Sequence, residues 1–318
     1  MQKILTTLIM SCFLVCSGLF AGSALAEQDS VKFGSVNWPG VTVKSQVAAQ
    51  VLSALGYETE ITQLQVPAIF KALSMDQLDV FLGTWLPTMN NYVNPYLEEE
   101  SIALLATNLD ETKYSNAVLQ YVYDAGVTSL ADLDKPEFRD KFDLNGDGTP
   151  EVYGIEPGND GNKVIIDAIA NDTYGLGDWD MIPSSTAGML SQVKKAAKNK
   201  DWIVFLGWEP HWMNITWDLA YPDDPKRIWG DPDASHVDTS TRAGLEQNSP
   251  NLARFLKQFV IKPEWQSEWI LGYTYEENPP EDVARDWIKA NLDKVAVWLE
   301  GVSTLDGADG FAAVKAAF

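Results

Sequence analysis

Apolar residues recur at helical spacing through Val43, Val47, Val51, Leu52 and Leu55, and Gly56 ends the run. Ahead of this helix, VKFGSV at 31–36 reads as a short strand that delivers Asn37-Trp38-Pro39-Gly40. Behind it, YETEITQL alternates as a strand does, a second helical pattern runs from about Pro67 to Met75, and Asp79-Val80-Phe81-Leu82 forms the next strand. This β-α-β-α-β order predicts an α/β sheet with parallel strands and helices on its faces, where ligands gather at the carboxyl ends of the strands. The same grammar returns downstream. Ala117–Val122 reads as a strand, Leu130–Phe142 as a short helical region, VYGIEPGNDGNKVIIDAIAND as strand, glycine-rich turn and helix, and Trp202–Leu206 as another buried strand. From Ala243 onward helices dominate, including a long final one from Pro280 to about Glu300, and STLDGADGFAAVKAAF reads as a loosely held tail. No Ser/Gly linker or low-complexity tract divides the chain, which predicts two lobes with more than one crossing between them.

Two strands end alike. FLGTWLPTM at 81–89 and FLGWEPHWM at 205–213 each run an apolar strand into Gly and then set a Trp near a Pro. Trp38, Trp85 and Trp208 all stand at strand ends beside Gly or Pro, where a side chain projects into the edge crevice instead of a helix–sheet interface. Two readings are open for Trp212, which either flanks the same crevice or caps a core. Trp287 and Trp298 share a stripe of the final helix with Val283 and Val295, and Trp265 and Trp269 stand four apart; these four read as core. Converging indole faces make an electron-rich cage that suits a methylated cation, which offers no N–H for a carboxylate to recognise.

Composition narrows the class. Met1–Ala26 has one cation, Lys3, an apolar stretch from Ile4 to Leu19 and a terminal Ala24-Leu25-Ala26, which predicts a cleaved secretory signal. Both cysteines, Cys12 and Cys16, leave with it, and no later apolar run approaches the about 18 residues of a membrane helix. A soluble monomer in the periplasm is expected. The net charge is −22, or −23 once Lys3 is removed, which argues against nucleic acid as a partner. Only two histidines are present, His211 and His236, and no G-x-S-x-G, H-E-x-x-H, phosphate-binding or dinucleotide-binding pattern occurs, so the chain reads as a binding protein and not an enzyme.

Two loops carry further candidate chemistry. In EPGNDGN at 156–162, Glu156 and Asn159 stand before a helix whose first N–H groups can face a ligand; ordinary capping by Asn159 or Asp160 is the competing reading. In DLNGDGTPEVYG at 143–154, Asp143, Asn145 and Asp147 with Gly148 match the first half of a calcium loop, with Thr149 and Glu151 completing a candidate set. Gly154 occupies the position where such loops place a bidentate Glu, so a structural Ca²⁺ and a plain Asp/Asn/Gly turn both stand open.

Trp38, FLGTWLPTM, the Tyr114 region, GIEPGNDGN and FLGWEPHWMN, in that order and behind a signal peptide, resemble the periplasmic substrate-binding proteins of ABC importers for choline and glycine betaine. The resemblance spans nearly the whole mature chain. It implies two α/β lobes of the flytrap type, each a mixed sheet flanked by helices, the hinge crossed twice, with 27–114 plus 216–318 in one lobe and 115–215 in the other. It further implies an aromatic box of Trp38, Trp85, Tyr114 and Trp208, a polar contact from Asn159, and a membrane permease as partner. Choline-binding members hold an Asp after the first Trp, where this chain has Gly40, and tend to have Pro where it has Trp212. Both departures suit a smaller ligand that keeps the trimethylated head but needs a donor, such as trimethylamine N-oxide; the glycine-rich turn, Asn159 or a protonated Glu156 would supply that donor. Choline or glycine betaine in the same cage is the alternative, and a secreted carbohydrate-binding protein is the rival from another class.

Overall fold

The computed structural model describes residues 28–318, so the expected signal peptide lies outside the described residues. Among the described residues ten strands are formed: β1 (Ser30–Ser35), β2 (Glu58–Gln63), β3 (Val80–Leu86), β4 (Ile102–Leu109), β5 (Lys113–Leu119), β6 (Glu151–Tyr153), β7 (Asp180–Ile182), β8 (Val204–Glu209), β9 (Leu219–Ala220) and β10 (His236–Arg242). They make two five-stranded sheets, ordered β2-β1-β3-β10-β4 and β7-β6-β8-β5-β9. In the first, β1 runs parallel to β2 and β3, while β10 returns antiparallel between β3 and β4. The second repeats the plan, with β6 parallel to β7 and β8, and β5 antiparallel to β8.

Each sheet has its own core. Val31, Phe33, Val80, Phe81 and Leu82 are fully buried beneath helix α1 (Pro39–Ala54), whose Val43, Val47, Val51 and Leu52 face them. Pro39 occupies the first helical position, where its missing N–H costs nothing. In the second lobe Ala117, Val118, Val204, Phe205 and Leu206 play the same part. Because β1, β3 and β8 carry their Trp at or beyond their carboxyl ends, Trp38, Trp85 and Trp208 arrive at the facing edges of the two sheets. Trp38 and Trp85 touch both cores.

Several expectations change. The second sheet includes Lys113, Tyr114, Leu219 and Ala220, and Trp229 packs into its core, so the chain crosses over at 110–112 and again at 230–235 instead of at 114/115 and 215/216. The strand expected at Ala117–Val122 begins at Lys113 and gives way at Gln120 to a short helical turn. The final helix divides into Pro280–Ala290 and Leu292–Trp298, because the Asn291 side chain bonds Trp287 O at 2.8 Å and leaves the helical conformation there. That break lets Trp287 stack on Trp298 at 5.7 Å between ring centroids, while Trp269 meets Trp287 edge-on, which makes these rings core. The tail is also held: Asp309 caps a helix at Gly310–Ala317, whose buried Val314 joins the first lobe's core.

Candidate ligand cage between the lobes

Trp38, Trp85, Tyr114, Asn159 and Trp208 line one cavity, together with Gly40, Val41, Lys44, Gly83, Ile155 and Gln266. The free volume inside it is about 40 Å³, against the roughly 10–15 Å³ that one water needs. Only a few small groups fit there. The Trp85 and Tyr114 rings, one from each lobe, lie 5.4 Å apart at 46°. Trp208 is 8% exposed and is braced by His211, which meets it edge-on at 5.0 Å.

Tyr114 is fixed from behind. Its hydroxyl donates to Asn159 Oδ1 at 3.1 Å, and Trp229 packs edge-on at 5.5 Å. Burial, with help from the Asp160 carboxylate, pushes the phenol far above its ordinary value, so it stays a neutral donor. Gly161 permits this approach, since a Cβ there would stand 2.5 Å from the Tyr114 oxygen. Asn159 serves two ends: its Oδ1 also accepts from Asn162 N, capping the helix Asp160–Ala170, and its Nδ2 donates to Asp160 Oδ1. Capping and cage lining thus meet in one residue.

Glu156 and Trp212 do not join the cage. Glu156 Oε1 accepts from Thr186 N at 2.8 Å and Oε2 from Thr186 Oγ1 at 2.9 Å, which commits both oxygens as acceptors at the start of the helix Thr186–Asn199. It borders two neighbouring clefts, one of which shares Trp38 and Asn159 with the cage. Trp212 donates from Nε1 to Thr274 Oγ1 at 2.7 Å and packs against Trp217 and Tyr275, beside the π-helical turn Leu271–Tyr275.

The cavity also contains residues that local pattern did not single out. Lys44 falls three before Val47 on α1's buried stripe, a position that, read strictly by period, marks it as facing inward. Gln266 fills the space beside Gly40: a Cβ at Gly40 would lie 3.0 Å from Gln266 Nε2. No Asp or Glu among the described residues lines the cavity. What faces it instead are donors. Trp38 Nε1 is buried without an acceptor, the N–H groups of Gly40 and Val41 belong to the first turn of α1, which has no capping side chain, and beside these donors stands one unpartnered neutral acceptor, Gln266 Oε1.

The 143–151 loop folds on itself. Asp143 Oδ1 accepts from Gly146 N and Asp147 N, its Oδ2 from Gly148 N, and Asp147 Oδ1 from Thr149 N, while Asn145 bonds Asp147 twice. Glu151 turns back beneath it, with Oε2 accepting from Leu144 N and Tyr153 Oη, while its buried Oε1 has no partner. Burial and the carboxylates of Asp143 and Asp147 raise the Glu151 pKa. Among the described residues, no group of three or more His, Cys, Asp or Glu side chains converges as a preformed metal site would.

Comparison with known proteins places this architecture. The family described as the substrate binding domain of ABC-type glycine betaine transport systems matches residues 29–290. A solved ABC-transporter choline binding protein in complex with choline is similar at TM-score 0.85 and 37% identity, covering 91% of this chain and 98% of that one. Lactococcal OpuAC, closed and complexed with glycine betaine, gives 0.74 at 26% identity over 85% of this chain and 99% of that chain. The glycine betaine/carnitine transport binding protein GbuC of Listeria monocytogenes is 36% identical over 191 residues, 60% of this chain and 61% of that protein.

Proposed function

This chain belongs to the family of substrate-binding domains of ABC-type glycine betaine transport systems, and from that premise we propose that it captures trimethylamine N-oxide in the Trp38/Trp85/Tyr114/Trp208 cage and delivers it to a membrane permease. It is a transport component and not an enzyme, and the carbohydrate reading falls away with the family assignment.

One observation carries the choice of ligand: the cavity pairs an aromatic box with unclaimed N–H donors and contains no carboxylate among the described residues, its unclaimed acceptor being the neutral amide oxygen of Gln266. The trimethylated head is common to choline, glycine betaine and the N-oxide, and ring faces attract each alike, by about 0.5–2 kcal/mol per well-placed ring. The other end separates them. Choline's hydroxyl asks for an acceptor such as the Asp that Gly40 replaces, and Gln266 occupies that Asp's space. An oxide asks for donors, and Trp38 Nε1 and the first turn of α1 provide them with the positive end of a helix dipole behind them. Of the other candidates for the donor, Glu156 is committed as an acceptor to Thr186, while Asn159 caps through its oxygen and keeps one Nδ2 N–H beyond the bond to Asp160.

Binding and closure are one event in this account. Trp38 and Trp85 come from the first lobe, Tyr114, Asn159 and Trp208 from the second, so a ligand gains its full contact set only in the closed form and shifts the population toward it. Calorimetric titration of residues 27–318 with the N-oxide, choline and glycine betaine at one pH and one salt concentration tests the reading. Tightest binding of the N-oxide is expected. Tighter choline or glycine betaine binding would overturn the ligand choice and leave the family assignment in place.

A further inference from the structure

The cage leaves one cavity-lining residue without a task. Lys44 is 2% exposed on α1 and has no carboxylate partner among the described residues. Its Nζ donates to Asn108 Oδ1 at 2.6 Å and to Leu82 O at 3.3 Å. Asn108 is itself pinned, donating to Leu82 O and Thr239 Oγ1. A neutral amine has two N–H donors, and both are then placed. An ammonium carries a third, for which no partner is formed; the unpartnered acceptor in the cavity wall, Gln266 Oε1, is a neutral amide and no counter-ion. A buried charge lacking a counter-ion is unfavourable, so the protonated form is satisfied only when something inside the cavity brings an acceptor to it.

Resting on the trimethylated-amine reading, we propose that Lys44 is a specificity-determining residue of the cage: it takes up a proton when a ligand with an anionic end, an amine oxide or a carboxylate, enters, and loses one when a net cation such as choline enters. The two ligand types share a head, so rings cannot tell them apart. A titratable point charge in the wall can.

The surroundings make this linkage accessible near neutral pH. Burial alone pulls the Lys44 ammonium down to about 7, with no charged neighbour contributing. The ionisable groups on the elements packed around it are engaged elsewhere. On β10, Asp238 meets Thr107 and His236, and Arg242 pairs with Asp79. Glu264 and Glu268 on the helix Pro263–Ile270 are exposed, as are Glu281, Arg285, Asp286 and Lys289 on Pro280–Ala290, where Asp282 pairs with Arg285. Across the cavity Tyr114 is neutral, and behind it stands Asp160, which burial raises to about 6. Asp160 titrates close to the same window, so the test must separate the two groups.

The test titrates the mature chain and Lys44→Met with the N-oxide, glycine betaine and choline from pH 6 to pH 9, each in two buffers of different ionisation heat. In the wild type, affinity for the oxide and the betaine should fall roughly tenfold or more as pH rises, with protons taken up on binding, and choline affinity should rise by up to roughly tenfold, with protons released. Lys44→Met should flatten both profiles, while any trend belonging to Asp160 persists. Flat profiles and buffer-independent heats in the wild type would overturn the inference alone, as would unchanged profiles in Lys44→Met. Silence from all three amines would overturn the ligand reading and the inference with it. Should Lys44→Met not fold, lysine NMR on the unliganded wild type decides: Lys44 must titrate far below the ordinary value of about 10.4, and an ordinary value refutes the proposal.

Discussion

Replacing Gly40 by Asp should turn the cage toward choline. A Cβ at this position would stand 3.0 Å from Gln266 Nε2 and 3.1 Å from its Cδ, so Gln266 must swing aside. The new carboxylate would then cap the first turn of α1 and occupy the place of the ligand's oxygen. Two unit charges about 4 Å apart at an effective dielectric of about 20 repel by about 4 kcal/mol. An oxide carries part of a charge, so about half of that is expected against the N-oxide. Choline gains an ionised acceptor for its hydroxyl, a bond type that contributes about 1.5–3 kcal/mol. Together these effects move the preference by about 3.5–5 kcal/mol, a few hundredfold to a few thousandfold in the affinity ratio. The introduced carboxylate would also stand four residues before Lys44, where side chains on a helix meet, and would hold Lys44 charged. The assay is calorimetric titration of Gly40→Asp and of Gly40→Asp/Gln266→Ala with both ligands, beside thermal melting. The double variant removes the steric contact and leaves the electrostatic effect. If it stays folded and the N-oxide-to-choline ratio moves by less than about threefold, the reasoning about Gly40 is refuted.

Trp85→Ala should leave the melting temperature near wild type while abolishing detectable binding, whereas Trp269→Ala, at 0% exposure, should cost about 3–5 kcal/mol of stability; equal destabilisation by both, read by denaturant unfolding, would return Trp85 to the core. Glu156→Gln should change ligand affinity by less than about threefold and weaken the helix Thr186–Asn199 by about 1 kcal/mol, because its oxygens cap Thr186; a large affinity loss at intact stability would put the carboxyl back in the site. Millimolar calcium should raise the melting temperature by several degrees in wild type and not in Asp147→Asn, because a cation drawing the 143–151 donors together would give the buried, unpartnered Glu151 Oε1 a partner; identical melting with calcium and with chelator would leave the loop a plain turn.

Much of the cavity's aromatic lining was legible because punctuation marks strand ends. Trp38, Trp85 and Trp208 each follow a buried run and stand within two residues of Gly or Pro, where the strand ends at the edge of the sheet. Core Trp residues were legible by the opposite signal, the helical period that aligns Trp287 and Trp298 with valines. The returning strand β10 was hidden because its buried stretch is Thr239-Ser240-Thr241, polar residues whose hydroxyls are satisfied by neighbours such as Thr84, which bonds Ser240 at 2.6 Å. Spacing brought Glu156 and Trp212 near the site but cannot reveal which side of a loop a side chain faces; Thr186 and Thr274, about 30 and 60 residues on, decide that. Lys44 was missed for a chemical reason: a lysine on a helix reads as solvent-facing, and only its position on the valine stripe spoke against that.

The most direct test of the central claim is the structure of the protein bound to trimethylamine N-oxide. The nitrogen is expected within about 6 Å of the Trp38, Trp85 and Trp208 ring centroids, with the oxygen turned toward Trp38 Nε1 and the Gly40 and Val41 N–H groups. A ligand seated outside those rings, or inside them with its oxygen turned to Glu156, would contradict it.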